Sequence, residues 1–149
     1  MAIAAGISPE ARKQRIAMLF ENIITRGELH LADELFHEDF YWPQFDLRGP
    51  EGVRIWVRAF RGAFPDIKDM VQEQIAEGDV VVTRVTCEGT QSGPFRGLPP
   101  SGRPAVFTAV GIDRFRGEKV IERSAHFDIV DVMRQLGHDT LKVPPVAEP

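Results

Sequence analysis

The chain of 149 residues has a single cysteine, Cys87. That excludes an internal disulfide framework and any metal site built on several thiolates. Cys87 falls inside an apolar run, where a small buried residue is expected rather than a nucleophile. No apolar run reaches the about 18 residues that a membrane-spanning helix needs. The N-terminus lacks the ordered charged, apolar and cleavage segments of a secretory leader, so the expected compartment is the cytoplasm. Charge is also unconcentrated. The formal net charge is -4, without long runs of one sign, and phosphate backbones need a basic patch, so nucleic acid is set aside as the main partner. There is no phosphate-binding Walker loop, no G-x-G-x-x-G after a strand and no G-x-S-x-G elbow. His30, His37, His126 and His138 are scattered, with no H-x-x-x-H pair to suggest zinc. The expectation is a protein without metal or cofactor, whose function rests on a pocket with acids, bases and aromatic walls.

What is present is a helical first half and a strand-rich second half. Ser8-Pro9-Glu10 opens a helix, with Ser as N-cap, Pro at the first helical position and an acid in the first turn. Ile16, Leu19, Phe20 and Ile23 follow at helical spacing until Gly27 stops the run. A short second helix carries Leu31 and Leu35 inward and ends near His37. Phe40-Tyr41-Trp42 is expected as a short strand ended by Pro43. Pro50 starts a third helix, with Val53, Trp56, Val57 and Phe60 on one face. Phe64-Pro65-Asp66 breaks it. Strands are then expected over Ile67–Ile75, Val80–Thr90, Ala105–Arg116 and Lys119–Asp128. A Gly/Pro loop joins the middle pair, and Gly117-Glu118 turns between the last two. Strands after helices give an α+β class: a curved antiparallel sheet wrapped around the N-terminal helices, cone-shaped, with an internal pocket. Gly89 and Gly111 suit the bending of such a sheet. With no repeat and no linker, residues 1–149 are expected to form one domain, with a core at about 9–137 and a tail at 138–149 that has little to bury.

Three motifs carry a resemblance: Phe64-Pro65-Asp66; Gly93-x-Phe95-x-Gly97-Leu98-Pro99-Pro100-Ser101-Gly102; and Gly111-Ile112-Asp113-x-Phe115-Arg116 leading to Gln135-Leu136-Gly137. From about Arg12 to Gly137 the chain resembles the SnoaL-like polyketide cyclases, which have the cone-shaped α+β fold of nuclear transport factor two. The resemblance implies a hydrophobic polycyclic or polyketide substrate bound without metal or cofactor, and a homodimer. It also implies proton transfer by a carboxylate on the last strand, helped by a histidine on the strand before it. Those positions fall here on Ala125 and Asp113, and a polar pair that many relatives carry on the first strand falls on Trp42-Pro43. The carboxylate position is therefore filled by alanine, and the helper is an acid.

Asp113 is the first candidate for catalysis, since burial in an apolar strand would raise its carboxyl pKa toward useful values. The structural alternative is a carboxylate paired to a cross-strand arginine such as Arg123. His126 is the second, with a pKa suited to proton transfer near neutrality. Strict alternation would turn it to the face opposite Ala125. Asp128 ends the same strand, where capping of the following turn is the competing role. Trp42, Trp56 and Phe60 are expected to line the cavity, Gln91 to sit at its rim, and Asp46 and Arg48 to lie in a loop over its mouth. The expected function is cofactor-independent proton-transfer chemistry (isomerase, lyase or cyclase) on a hydrophobic, aromatic, oxygenated small molecule. The alternative is a non-catalytic binding or dimerisation module of the same fold.

Overall fold

The computed structural model describes residues 6–138; the stretch Lys142–Pro149, expected as part of the tail, lies outside them. Ser8 caps helix α1 (Pro9–Met18), its hydroxyl accepting from the Ala11 amide at 3.1 Å. The helix continues as a π-helical turn over Leu19–Ile24, which buries Leu19, Phe20, Ile23 and Ile24. Arg61 closes that end, donating to the carbonyls of Ile24 and Thr25 at 2.8 and 2.7 Å. Helix α2 (Ala32–Leu35) is a single turn, and strand β1 (Phe36–Trp42) begins four residues before the expected Phe40. Phe36, Phe40 and Trp42 are all buried, and their burial keeps the segment extended. A short turn (Pro43–Phe45) and the two-residue strand β2 (Leu47–Arg48) lead into α3 (Gly49–Ala63), which has Pro50 in its first turn. The meander β3 (Lys68–Glu77), β4 (Val80–Thr90), β5 (Pro104–Arg116) and β6 (Lys119–Phe127) follows, then α4 (Ile129–Gln135).

The six strands form one sheet in the order β2-β1-β6-β5-β4-β3. It is mixed, not wholly antiparallel as expected, because β1 runs parallel to β6. A parallel pair needs a crossover rather than a hairpin, and here the crossover is α3 together with the whole meander. The ladder shifts register between Val71 and Glu73, and between Arg114 and Phe115; such bulges bend a sheet. The core lies between its concave face and the helices.

Local bonds explain the motifs. Asp66 accepts from the Thr90 amide at 2.7 Å, tying Phe64-Pro65-Asp66 to the end of β4. A Cβ at Gly93 would lie 2.1 Å from the Gly62 carbonyl, so only glycine allows the 91–103 loop to close on α3. Gln135 reaches back from α4 to β5: its side-chain amide donates to the Val106 carbonyl at 2.8 Å and accepts from the Val106 amide at 2.8 Å.

Candidate active site

The wall of the site is aromatic. Trp42 ends β1 and Trp56 projects from α3, with ring centroids 5.1 Å apart. Trp56 and Phe60, one turn apart on α3, stack at 4.9 Å with 12° between planes. Phe45, from the turn after β1, meets Trp42 edge-on at 5.0 Å. Phe45, Trp56 and Phe60, with Phe95, Arg96 and Phe127, surround an open vestibule of about 480 Å³. Beyond the collar of Phe45, Trp56, Phe60 and Phe127 lies an inner chamber of about 40 Å³, where Asp69, Cys87, Arg123 and Ala125 meet apolar neighbours.

The register of the sheet brings the polar groups to this chamber. Arg123 on β6 stands opposite Asp113 on β5. Its Nη1 donates to both carboxylate oxygens of Asp113, at 2.7 and 2.6 Å. Asp113 is 0% exposed and Arg123 4% exposed. Burial raises the Asp113 carboxyl above its ordinary value, opposed by the charge and hydrogen bonds of Arg123. The guanidinium carbon lies 5.3 Å from the Phe20 centroid and 5.4 Å from that of Trp42, so two aromatic faces also hold the cation. Gly111 makes room for it: a Cβ there would meet Arg123 Nη2 at 2.8 Å.

Asp69 is placed from β3, where it opposes Cys87 on β4. Its amide donates to Thr25 Oγ1 at 2.9 Å, which anchors this stretch to the π-helical turn. The carboxyl is 6% exposed and has no ion-pair partner among the described residues. Burial raises its pKa from 3.8 to about 6, opposed by a hydrogen bond from the Cys87 thiol and by the charge of Arg123. The same surroundings push the Cys87 thiol up, burial first and the Asp69 charge second, so it stays protonated. Asp69 Oδ1 and Arg123 Nε are buried and have no hydrogen-bond partner among the described residues.

The candidates from the sequence separate into distinct places. Trp42, Trp56 and Phe60 lie in the cavity wall. Asp113 faces inward but lies sealed under Arg123 and off the lining of both cavities. His126 is exposed on the opposite face, in a shallow crevice with Gln44 and Arg96. Alternation along β6 puts Arg123 and Ala125 inward and His126 outward, so Asp113 and His126 are not brought together. Gln91 is buried within its own loop rather than at the rim: its amide donates to the carbonyls of Gly93 and Pro99, both at 3.2 Å, and accepts from Ser101 N at 3.3 Å. Asp128 caps α4, accepting from the Asp131 amide at 3.0 Å. Asp46 and Arg48 are both exposed and face each other at 3.8 Å. Asp69 is the group that sequence reasoning missed. The signal was an acid two residues from Ile67 and Val71, on the inward face of the strand.

An open bent sheet closed over helices, with an aromatic cavity leading to buried ionisable groups, defines an α+β cone of the nuclear transport factor two type. The chain belongs to the SnoaL-like polyketide cyclase family, whose model matches residues 14–136. Solved structures agree. TsrD from Streptomyces laurentii superposes with a TM-score of 0.83 at 25% identity, covering 89% of this chain and 98% of that one. IdmH from Streptomyces antibioticus gives 0.73 at 30% identity, covering 85% and 98%. AclR from Streptomyces galilaeus gives 0.74 at 25%, covering 87% and 98%. No curated protein matches the sequence.

Proposed function

We propose that this chain is an acid–base enzyme acting on a hydrophobic, aromatic, oxygenated small molecule, with Asp69 moving the proton and Arg123 receiving the negative charge that develops on oxygen. The observation that carries it is a buried carboxyl, Asp69, in the wall of an aromatic cavity, without an ion pair among the described residues and pushed up to about 6 by its burial. A carboxyl in that range is ionised at neutral pH yet still basic enough to take a proton. A guanidinium in a dry site stabilises an enolate oxygen far more than it would in water. Asp113 acts as a positioning residue: it holds Nη1 of the guanidinium that lines the chamber. The chemistry is isomerisation, elimination or ring closure, as befits the family, with the base on β3 and alanine at the β6 position where the resemblance places a carboxylate. The protein is proposed to work without metal or cofactor, in the cytoplasm, as a homodimer through the outer sheet face, where Ile75, Val82 and Ile112 align across three strands.

The test is hydrogen–deuterium exchange at the α-carbons of 2-tetralone, a bicyclic ketone with a fused benzene ring, followed by NMR in D₂O. The wild-type protein should exchange the probe above the buffer rate, and Asp69→Asn should lower that rate by about 10²–10⁴-fold. Binding of 2-tetralone with no exchange beyond that of Asp69→Asn supports the non-catalytic binding module instead.

A further inference from the structure

The vestibule carries one charge. Among the described residues that line it, Arg96 alone is ionisable, and the others are aromatic, alanine or proline. Arg96 is exposed, borders the outer crevice as well, and is not part of the inner chamber, so it stands at the mouth. No carboxylate lines the vestibule or the crevice, and none among the described residues lies within ion-pair distance of Arg96. The loop fixes its place. The Phe95 amide donates to the Leu98 carbonyl at 3.1 Å and the Leu98 amide to the Phe95 carbonyl at 2.9 Å. Between them φ is 49° at Arg96 and 79° at Gly97. Positive φ at both central residues of a two-residue hairpin is the type I′ turn, which asparagine or aspartate followed by glycine adopts most readily. The backbone gives no reason for arginine here, and non-glycine residues held in this region gather at ligand clamps. Phe95 anchors the turn: it is buried and meets Phe64 edge-on at 5.3 Å. The Arg96 guanidinium carbon lies 5.9 Å from the Phe95 centroid and 5.8 Å from that of Phe127, so two rings of the wall hold the cation.

We infer that the substrate is an anion: an aromatic ring system bearing a carboxylate, with the carboxylate on Arg96 and the rings against Trp56 and Phe60. The inference rests on the proposed function, in which this cavity is the substrate site. A vestibule of about 480 Å³ falls within the range of small-molecule sites, about 300–1,000 Å³. One planar guanidinium offers paired N–H donors to one planar carboxylate and balances its single charge. A phosphate monoester, with nearly two charges, would be left half balanced. Charge also sets the orientation. The inner chamber holds Asp69 and Arg123, and Arg123 is already matched by Asp113. With Asp69 ionised, that end is negative in sum and turns a carboxylate away, whereas the mouth accepts it. The end of the substrate far from the carboxylate therefore faces Asp69 through the collar of Phe45, Trp56, Phe60 and Phe127. Arg96 thus selects both the substrate class and the carbon presented to the base.

Naphthalene-2-carboxylate and naphthalene-2-carboxamide are the probes, alike in shape and different in charge, measured by equilibrium dialysis against the whole protein at pH 7. The wild type should bind the acid at least about tenfold tighter than the amide, the worth of a charge-assisted hydrogen bond. Arg96→Asn puts into the turn a residue that its backbone favours, so the variant keeps the fold. Its acid-to-amide preference should fall to about one, a ratio that loss of mere wall area would not move. Equal affinities in the wild type overturn the inference, and so does binding of neither probe. A preference that Arg96→Asn retains also overturns it, because the anion is then held elsewhere. A crystal structure of the wild-type protein with the acid tests the site itself. The carboxylate should lie within hydrogen-bond distance of the Arg96 guanidinium, and a carboxylate seated in the inner chamber overturns the inference whatever the affinities. Exchange of 2-tetralone, which bears no charge, reports the acid–base reading separately. Exchange without an acid preference overturns the anion site alone, and an acid preference without exchange supports the anion site and removes the acid–base reading.

Discussion

Asp113 and Arg123 face each other across the β5–β6 ladder, and a single guanidinium nitrogen, Nη1, reaches both carboxylate oxygens, at 2.7 and 2.6 Å. The pair is sealed from solvent, and one side of it borders the chamber. In the proposed reading, Asp113 positions the Arg123 cation and does not itself move a proton.

Asp113→Asn leaves the Arg123 charge buried without its counter-ion. Removing one partner of a buried pair costs about 3–5 kcal/mol. Urea denaturation at pH 7 should show a loss of about 3 kcal/mol. A variant as stable as the wild type would show that the pair does not hold the β5–β6 region.

Stability and activity should run in opposite directions with pH. The folded Asp69 carboxyl has a pKa of about 6, raised from 3.8, so the folded state binds its proton more tightly than the unfolded chain does. Its contribution to stability is full below about pH 4 and is lost as pH rises to about 6, a change of at most about 3 kcal/mol. Over the same range the ionised base appears, and 2-tetralone exchange should rise with a midpoint near pH 6. Denaturation of wild type and Asp69→Asn at pH 4, 5, 6 and 7 checks the first part. Parallel slopes for the two proteins would refute it.

Gly111→Ala puts a methyl group 2.8 Å from Arg123 Nη2. The guanidinium is boxed in by Phe20, Trp42 and Asp113 and has little room to retreat. Overpacking of this kind costs about 1–3 kcal/mol. The folded variant should also lose exchange activity at least tenfold, because the Arg123 guanidinium is displaced. Unchanged activity would mean that the placement of Arg123 does not matter to the chemistry.

Trp56 is half-buried and contributes to both the vestibule and the chamber. Trp56→Ala should keep the fold but weaken 2-tetralone binding about tenfold or more, corresponding to about 1.4 kcal/mol or more of lost ring contact. Equilibrium dialysis measures it directly.

The outer face bears on assembly. Ile75 and Ile112 are 60% and 40% exposed on either side of Val82. The wild-type chain should sediment as a dimer at micromolar concentration and Ile112→Glu as a monomer. A monomeric wild type would remove the proposed interface.

Much of the scaffold was legible because short-range periodicity fixes it. The apolar residues of α3 recur at helical spacing, and β4 alternates from Val80 to Thr90 as the sequence indicates. The short first strand, expected at Phe40–Trp42, extends over Phe36–Trp42, and its Trp42 packs against Trp56 of the distant α3. The parallel β1–β6 pair joins residues some 80 positions apart in sequence, beyond any local signal. The site was read in half. Aromatic residues on a helix face announce a wall, but which acid looks into the cavity depends on register. Asp113 lies on the inward face yet is covered by Arg123, whereas Asp69 comes from a bulged strand whose polarity looks mixed.

Gln135 bears on solubility. Strand β6 stops pairing with β5 at Phe127 and Ala109, so β5 from Pro104 to Thr108 lacks a β6 neighbour on that side. The side-chain amide of Gln135 supplies one missing rung, donating to and accepting from Val106 as a neighbouring strand would. An uncovered strand edge beside the exposed Val106 side chain is a template for another chain. Gln135 thus acts as a guard against fibre-like association, a duty that a glutamate, unable to donate to the Val106 carbonyl, could only half perform.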